Sequence, residues 1–431
     1  MSVSRPSDST QKNSVFLSNL VEETLHGLSP IQTIMKMAEP AHIASLGIDP
    51  ETMISFGGGW CNHTAPETLR SIYQKICSDR NQFNQSGRYS PIKGQLDCRT
   101  QLCAYEYRIF QVNHLLPDQI LLGHSSTQLF HDILRVIANP SDPICLLDPT
   151  YANYMNAIKC ALPSSPLRFL SVLDIDHWDY LVDEEATLEQ FKQLCSDGVR
   201  VIVIPLPDNP TSQILPDSCV QGLYDILEDF KGFLVLDFAY KTLWFDKKPA
   251  CFSWSPVDHP HGIFIHSNSK WLSSLGRRLG WIEADTHVIE SMEKINESML
   301  LSPDTMHSQA LARFLQASLS DNSLVHYIDD IRKLYRKTAS VLIRSIDKEL
   351  GWSYLSPQGG LYTCCPTPKH QKARAFVEDV LTQTGVLLIP GDGFGPSMKH
   401  AVRISYGPLC YDHDLIIEGI ERVAQYLGTS S

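Results

Sequence analysis

The stretch "GIFIHSNSKWLSSLGRRLGWIEA", residues 262–284, contains two apolar strand-like runs, 262–267 and 279–284, joined by a polar loop. Because only this short loop separates the two runs, we expect the second strand to be antiparallel to the first. The loop holds a single lysine, Lys270, among small hydroxyl residues, and a pair of arginines follows. Lys270 is either a buried cation that needs a partner or a nucleophile, and the rest of the chain decides between the two.

Further apolar runs of strand length precede this stretch, and most are separated by segments with helical spacing, such as "STQLFHDILRVIA". These runs are 119–123, 143–148, 167–172, 199–205 and 232–237. Apolar strands without polar alternation indicate a sheet covered on both faces, and alternation with helices indicates largely parallel strands. The sequence therefore predicts an α/β fold with a mostly parallel seven-stranded sheet covered by helices.

After residue 285 the pattern changes to long helices and short strands. We expect helices at 286–300, 304–320, 322–350 and 413–427, and strands at 359–365, 386–390 and 401–407. This pattern predicts a second, smaller α+β domain. We expect a disordered leader at 1–14, a small domain made of 15–60 and 318–431, and a large domain at 61–317.

Charge and composition limit the classes of protein that this chain can belong to. The 431 residues carry 36 Lys and Arg against 48 Asp and Glu, a net charge of −12, which argues against a nucleic-acid partner. No run of about 18 apolar residues occurs, so we expect no membrane span. The polar N-terminus has no hydrophobic signal core, and twelve dispersed cysteines, Cys160 among them, indicate buried free thiols. We therefore expect a cytoplasmic protein.

Polar residues follow the predicted strands at the point where each strand ends, which is where ligands bind in open α/β sheets. Ser126 and Thr127 lead into a helix, where they form either an anion site or a simple N-cap. Tyr151 is either a stacking aromatic or a core residue. Asn209 either occupies a turn or directs its amide into the cleft, because Pro210 forces an extended conformation at Asn209.

Two more strand ends complete this set. Asp237 ends a buried strand and needs a partner, because an unpaired buried charge is very costly, and Tyr240 follows it. Lys270 follows the next strand, with Arg278 eight residues later. Together these residues describe a site for a flat, phosphorylated, cationic ring that reacts with an amine. Pyridoxal 5'-phosphate has each of these properties.

The sequence resembles a known family. From about Phe56 to the C-terminus it is similar to the fold-type I pyridoxal-phosphate enzymes of the class I/II aminotransferase group. The segments that carry the resemblance are "YSPIKG" (89–94), "DNPTS" (208–212), "DFAY" (237–240), "SNSKWLSSLGRR" (267–278), "PQGGLY" (357–362), "IPGDGFG" (389–395) and "VRISYG" (402–407). The chain departs from the family at Phe238, where a glutamate is usual, and at Ser212, where a glycine is usual. These departures suggest a less typical member.

The resemblance implies roles for the cofactor residues. Lys270 would form the Schiff base and then act as general base and acid at the substrate's α-carbon. Asp237 would pair with the pyridinium nitrogen, Asn209 and Tyr240 would hydrogen-bond the phenolic oxygen, and Tyr151 would stack on the ring. The residues expected to hold the phosphate are Ser126, Thr127, Ser267 and Arg278.

The resemblance also implies a partner and a substrate. Tyr89 matches the tyrosine that reaches the phosphate of the neighbouring subunit, which implies a homodimer with shared active sites. Arg403 matches the arginine that binds the α-carboxylate of an amino-acid substrate. In "SFGGGWCNHTAP", residues 55–66, we expect Gly58, Trp60, Asn62 and the neighbouring His63 to contribute to the substrate pocket.

The function expected from this set is that of a pyridoxal-phosphate-dependent aminotransferase acting on an L-amino acid. The alternative is a specialised enzyme of the same fold, namely a cyclase, a γ-elimination or substitution lyase, a decarboxylase or an oxidase in amino-acid-derived biosynthesis. The residues above do not separate these reactions, because all of them share the carbanion step. A non-catalytic regulator that keeps the cofactor pocket is a third possibility.

Overall fold

The computed structural model describes residues 18–24 and 29–428. The predicted leader, residues 1–14, lies outside the described residues. The strands are β1 (Ile54–Ser55), β2 (Ile120–Gly123), β3 (Ile144–Asp148), β4 (Leu167–Ser171), β5 (Leu173–Asp174), β6 (Asp179–Tyr180), β7 (Val201–Pro205), β8 (Phe233–Asp237), β9 (Gly262–Ser267), β10 (Gly280–Glu283), β11 (Tyr362–Pro366), β12 (Val386–Leu387), β13 (Ile389–Pro390) and β14 (Ala401–Ser405).

Helices occupy much of the remaining chain, and π-helical turns extend two of them at Glu106–Phe110 and Ile346–Leu350. The α-helices are α1 (Pro30–Met37), α2 (Pro40–Ser45), α3 (Glu67–Ser78), α4 (Arg80–Ser86), α5 (Leu96–Tyr105), α6 (Ser126–Ile137), α7 (Asn153–Ala161), α8 (Glu184–Ser196), α9 (Asp217–Asp229), α10 (Thr286–Met299), α11 (Thr305–Ser320), α12 (Ser323–Ser345), α13 (Ala373–Thr384) and α14 (His413–Leu427). None of the helices in the described part of the chain is both long and apolar enough to span a membrane.

The large sheet has seven strands in the order β2-β10-β9-β8-β7-β3-β4. Strand β10 is antiparallel to both β2 and β9, and the other pairs are parallel. The predicted fold class, including the antiparallel strand after Lys270, is therefore confirmed. Successive residues of β7 point to opposite faces: Val201 and Val203 enter one apolar core, while Ile202 and Ile204 enter the other. This is why the strands have no polar alternation.

The smaller sheet has the order β11-β14-β13, with antiparallel pairs throughout. The predicted strand 386–390 is divided in the structure, because β12 pairs with β1 whereas β13 pairs with β14. Through the β1–β12 pair, the segment near residue 54 joins the C-terminal part of the chain. The boundary drawn between residues 317 and 318 falls inside α11, and the domain limits remain a prediction.

Two local expectations differ from the structure. The helix expected at 322–350 ends as an α-helix at Ser345 and continues as a π-helical turn to Leu350, where the left-handed Gly351 stops it. Cys77 and Cys160, expected to be buried thiols, are exposed at the ends of helices α3 and α7.

Candidate active site

A cavity of about 450 Å³ lies at the carboxyl ends of the parallel strands. Helix α1 and the smaller sheet close its other side. Many of the residues singled out from the sequence line this cavity, although they come from distant parts of the chain. These residues are Trp60, Ser126, Thr127, Tyr151, Asn209, Asp237, Tyr240, Ser267, Lys270, Arg278 and Arg403.

One end of the cavity is the N-terminus of α6. The N-cap of this helix is Ser125, whose Oγ accepts a hydrogen bond from the backbone N–H of Gln128 at 3.4 Å. Neither Ser126 nor Thr127 is the cap, contrary to one interpretation of the sequence, so both hydroxyls are available to the cavity. A helix N-terminus with free N–H groups and hydroxyls favours an anion. The N-terminus of α6 lies directly against the backbone of β10 at Gly280. A Cβ at this position would be only 2.9 Å from the Ser126 nitrogen, so glycine allows the helix and the strand to approach this closely.

The loop after β9 supplies the other polar groups at this end. The Ser267 hydroxyl donates to the Ser269 hydroxyl at 2.8 Å and accepts from the Ser269 N–H at 3.1 Å. Arg278 has a left-handed backbone, with φ of 40°, and its guanidinium donates to the Leu275 carbonyl at 2.6 Å. The guanidinium remains exposed at the cavity. These groups and the N-terminus of α6 together form a site with positive potential.

Asp237, the last residue of β8, is the carboxylate that faces the cavity. Its Oδ2 accepts a hydrogen bond from the Tyr154 hydroxyl at 2.7 Å, and its Oδ1 accepts one from the Ala239 N–H at 2.9 Å. Burial raises the pKa of Asp237, while these two hydrogen bonds and the nearby Lys270 cation act in the opposite direction. The carboxyl group is therefore held in one orientation and suited to a cationic partner.

Lys270 lies between this carboxyl group and the backbone of the "GGG" segment. Its Nζ donates a short hydrogen bond to the Gly59 carbonyl and lies 5.5 Å from the centre of the Tyr240 ring. The Tyr240 and Tyr362 hydroxyls are 2.5 Å apart, and either can be the donor. Burial raises the pKa of Tyr240 well above its ordinary value, so its hydroxyl keeps its proton at neutral pH.

Arg403 is the cation on the opposite side, contributed by β14. Its Nη1 donates to Asn209 Oδ1 at 3.1 Å, and its Nη2 donates to the Gly57 carbonyl at 2.9 Å. The guanidinium lies between the rings of Tyr362 and Phe394, 4.5 and 5.0 Å from their centres. In the described part of the chain no carboxylate pairs with Arg403, and its buried Nε has no hydrogen-bond partner. The side chain is thus rigid and has capacity for an anion.

Four of the residues expected to contribute to the site do not line the cavity. Gly58 packs against the Trp60 ring, from which a Cβ would be only 2.7 Å away, and Asn62 is exposed and donates to the Pro408 carbonyl at 2.7 Å. Tyr89 is 83% exposed, away from the cavity. The neighbouring His63 is also outside the cavity, because its buried ring contacts the Tyr335 hydroxyl and the Trp271 carbonyl.

The structure adds residues that the sequence interpretation missed. Tyr154 lies three positions after Tyr151, and that helical spacing was a signal for a second aromatic at the same edge. Tyr362 ends the quoted "PQGGLY" segment. The apolar wall on α1 was missed as well, although Ser29 and Gln32 have the spacing of a capping box and form one.

The two departures from the family are accommodated locally. Phe238 is buried and stacks on Phe264, with ring centres 5.8 Å apart. Ser212 takes the left-handed backbone conformation, with φ of 56°, that favours glycine. Its hydroxyl accepts a hydrogen bond from the Tyr362 N–H at 3.0 Å. The serine thus connects the turn after β7 to the strand that carries Tyr362.

Comparison with known proteins agrees with this geometry. Residues 51–416 match the family described as aminotransferase class I and II. The chain belongs to this family and is an aminotransferase, and members of the family use pyridoxal phosphate.

Individual relatives are distant but cover nearly the whole chain. The LL-diaminopimelate aminotransferase of Oleidesulfovibrio alaskensis is 25% identical, over 89% of this chain and 93% of the relative. The aspartate/prephenate aminotransferase of Thermus thermophilus is 20% identical, over 94% and 98% respectively. The solved structure of aspartate aminotransferase from Thermus thermophilus with maleate superposes with a TM-score of 0.81 at 20% identity, over 95% of this chain and 99% of that one. The structural similarity shows the shared fold.

Proposed function

We propose that the cavity binds pyridoxal phosphate at Lys270 and that the chain transfers the amino group of an L-amino acid to a 2-oxo acid. The observation that carries this proposal is the convergence of three groups on one cavity. Lys270, the buried carboxyl group of Asp237 and the guanidinium of Arg403, which has no carboxylate partner among the described residues, all line it. An amine nucleophile, an acidic partner for a ring nitrogen and an anion clamp are the groups that this chemistry needs.

The residues present fit the cofactor. The N-terminus of α6, the hydroxyls of Ser126, Thr127 and Ser267, and the Arg278 guanidinium would hold its phosphate. Asp237, oriented by Tyr154, would hold a proton on the ring nitrogen. Tyr151 would stack on the ring, and the Asn209 amide and Tyr240 hydroxyl would hydrogen-bond its phenolic oxygen.

When bound, the cofactor supplies an aldehyde that takes up an amine and a ring that accepts electrons from the substrate's α-carbon. Arg403 would bind the α-carboxylate of the amino acid and so orient the α C–H bond. The Lys270 amine would remove the α-proton and return a proton during transfer. Trp60 and the α1 side of the cavity would limit the access of water.

We also propose that the active form is a cytoplasmic homodimer. Tyr89 supports the dimer, because its phenol is exposed and away from its own cavity, as expected for a residue that reaches a partner's phosphate site. The many buried thiols agree with a reducing compartment. The substrates are small molecules, and we expect neither a nucleic-acid nor a membrane partner.

A spectral titration tests the proposed reaction. The purified yellow protein is titrated with single amino acids, without added oxo acid, under air and under argon. Transamination predicts loss of the bound aldehyde's absorbance with release of one equivalent of 2-oxo acid in both gases. Oxygen dependence, or turnover in which the aldehyde persists, would instead indicate one of the specialised reactions of this fold. A Lys270→Ala variant controls for covalent attachment of the cofactor.

A further inference from the structure

We propose that the amino-acid substrate carries an uncharged, largely apolar side chain, and that helix α1 binds it. The inference rests on the proposed function, because it assigns the side-chain part of the same cavity. We call Ile31, Ile34, Met35 and Ala38 the α1 wall. All four line the cavity together with the catalytic groups.

The α1 wall has the spacing of one helical face. Its members occur at positions i, i+3, i+4 and i+7, which fall on a single stripe of an α-helix. The other face of the helix carries Gln32 and Lys36, both exposed. Met35 is 65% exposed although it lines the cavity. An apolar stripe that faces a binding cavity gains from contact with an apolar ligand, which removes this surface from water.

Helix α1 is held firmly enough to form a binding surface. Its N-terminus is closed by the capping box of Ser29 and Gln32. Pro30 lies against Gly393, where a Cβ would be only 2.8 Å from the Pro30 Cβ. Ile31 and Ile34 pack on an apolar cluster that includes Ile389 and Phe394 of the smaller domain.

Two further apolar side chains belong to this compartment. Trp60 and Ile389 line the cavity with the α1 wall, and Trp60 is 42% exposed. A large aromatic or aliphatic side chain that enters this compartment would remove apolar surface of the lining residues from water. Such a ligand makes contacts that a short polar side chain cannot make.

The charged groups of the cavity leave no partner for a charged side chain. Within the described residues, the cations that line the cavity are Lys270, Arg278 and Arg403, and the carboxylate is Asp237. The proposed reaction uses all four, for the amine, the phosphate, the α-carboxylate and the ring nitrogen. A second carboxylate or ammonium on the substrate would enter an apolar compartment without a counter-ion, which is strongly unfavourable.

A binding comparison tests the inference without relying on turnover. Dissociation constants of 3-phenylpropanoate and succinate are measured on the holoenzyme by the spectral shift of the cofactor. We expect 3-phenylpropanoate to bind at least about tenfold more tightly, in the range that hydrophobic pockets provide. Equal or tighter binding of succinate would overturn the inference and would indicate a cation from another segment or from a partner subunit.

The amino-acid titration separates the two levels of the proposal. Phenylalanine, leucine and methionine should discharge the aldehyde at lower concentrations than aspartate, glutamate or lysine. If only charged amino acids react, the apolar assignment fails and the aminotransferase proposal stands. If no amino acid discharges the aldehyde, the proposed function fails, and the substrate assignment fails with it.

A substitution on α1 tests the location. Met35→Arg introduces a cation into the α1 wall at an exposed position that tolerates it. We expect the ratio of succinate to 3-phenylpropanoate affinity to rise at least about tenfold, as expected when a charge gains a partner. Lys36→Ala, on the other face of the same helix, is the matched control and should leave the ratio unchanged. An unchanged ratio in Met35→Arg would place the side-chain site elsewhere.

Discussion

The Tyr154 hydroxyl donates a 2.7 Å hydrogen bond to Oδ2 of Asp237, although the two residues are 83 positions apart in the chain. Tyr154 belongs to α7 and Asp237 ends β8, so the bond exists only after the helix has packed on the sheet. The Tyr154 ring is itself fixed by Phe130, at 4.7 Å between ring centres. Asp237 therefore presents its carboxyl group to the cavity in a position determined by a second residue.

Tyr154→Phe should alter the acid–base behaviour of Asp237 while keeping the ring packing. The Tyr154 hydrogen bond lowers the pKa of this carboxyl group against the effect of burial, so its loss should raise that pKa. The acidic limb of the kcat/KM profile should then move to higher pH, with a loss of roughly tenfold in rate near neutrality. Tyr224→Phe, at a distant buried tyrosine, is the control. A profile that keeps its acidic limb would show that Tyr154 only fills space.

Asp208→Asn should change how stability depends on pH. Burial raises the pKa of Asp208 to about 7, so the folded protein binds a proton between about pH 4 and 7 that the unfolded chain has lost. This group therefore lowers the free energy of unfolding as the pH rises, by at most about 1.4 kcal/mol per pH unit. Asparagine removes that dependence and keeps an oxygen for the Thr211 hydrogen bonds.

The measurement for Asp208→Asn is urea unfolding at pH 5 and pH 7. The free energy of unfolding of the variant minus that of the parent should be larger at pH 7 than at pH 5, because only the parent loses stability as the pH rises. Asp246→Asn, at an exposed position, should show a much smaller change. A difference that runs in the opposite direction would mean that Asp208 is ionised in the folded protein.

Lys241→Met should destabilise the fold. The Lys241 ammonium lies 2.6 Å from Glu106 Oε2, both side chains are buried, and the ammonium also faces the Phe110 ring at 4.3 Å. Removing the cation leaves an uncompensated buried carboxylate, which costs about 3–5 kcal/mol. Lys247→Met breaks an exposed pair with Asp217 and should cost about 1 kcal/mol or less.

Chemical denaturation compares these variants, and a second substitution identifies the cause. Adding Glu106→Gln to Lys241→Met removes the stranded charge and should restore part of the lost stability. If the double variant is no more stable than Lys241→Met, the effect comes from lost packing of the lysine stem rather than from charge.

Gly393→Ala should disturb helix α1 without touching the cofactor residues. The added Cβ would approach the Pro30 Cβ to 2.8 Å, so the helix or the loop must shift. We expect binding of 3-phenylpropanoate to weaken by roughly tenfold, while cofactor retention is unchanged. Gly87→Ala is the control, because its nearest contact would be an ordinary 3.8 Å. Unchanged binding in Gly393→Ala would show that α1 does not need this contact.

The proposed dimer makes Tyr89 and Lys270 parts of one site contributed by two subunits. Tyr89→Ala and Lys270→Ala should each lower activity by at least about tenfold, the scale of losing a positioning or proton-transfer group. Mixing the two inactive proteins under conditions of subunit exchange should restore part of the activity, because hybrid dimers contain one intact site. If hybrid dimers form but the mixture stays inactive, the two subunits do not share their active sites.

The sequence predicted the strands of the large sheet closely, because the pattern that identifies each strand lies within a few neighbouring residues. In the run 199–205, residues 201–205 form an unbroken series of apolar residues, which indicates that both faces are covered, and the structure has β7 there. The carboxyl ends of such strands meet at one edge of the sheet, so the sequence predicts that Asp237 and Lys270 lie close together. The family match then confirmed the class of enzyme.

The same reasoning failed where distant elements meet. Asn62 has the polarity of a pocket residue, but its amide binds the Pro408 carbonyl at the surface. No pattern around residue 62 indicates that this carbonyl lies beside it. The Tyr240 and Tyr362 hydroxyls, 122 positions apart, likewise meet only in the folded chain.

The order of strands and helices along the chain, the lysine after β9 and the residues at the strand ends all follow from the amino-acid sequence alone. They do so because periodicity and turn chemistry are encoded within a few residues. Three features became visible only in the folded chain: α1 forms an apolar wall of the cavity, Tyr154 orients Asp237, and Arg403 has no carboxylate partner among the described residues. These relationships depend on which distant parts of the chain pack together. Burial of apolar surface is favourable whichever partner covers it, so a local sequence pattern does not identify that partner.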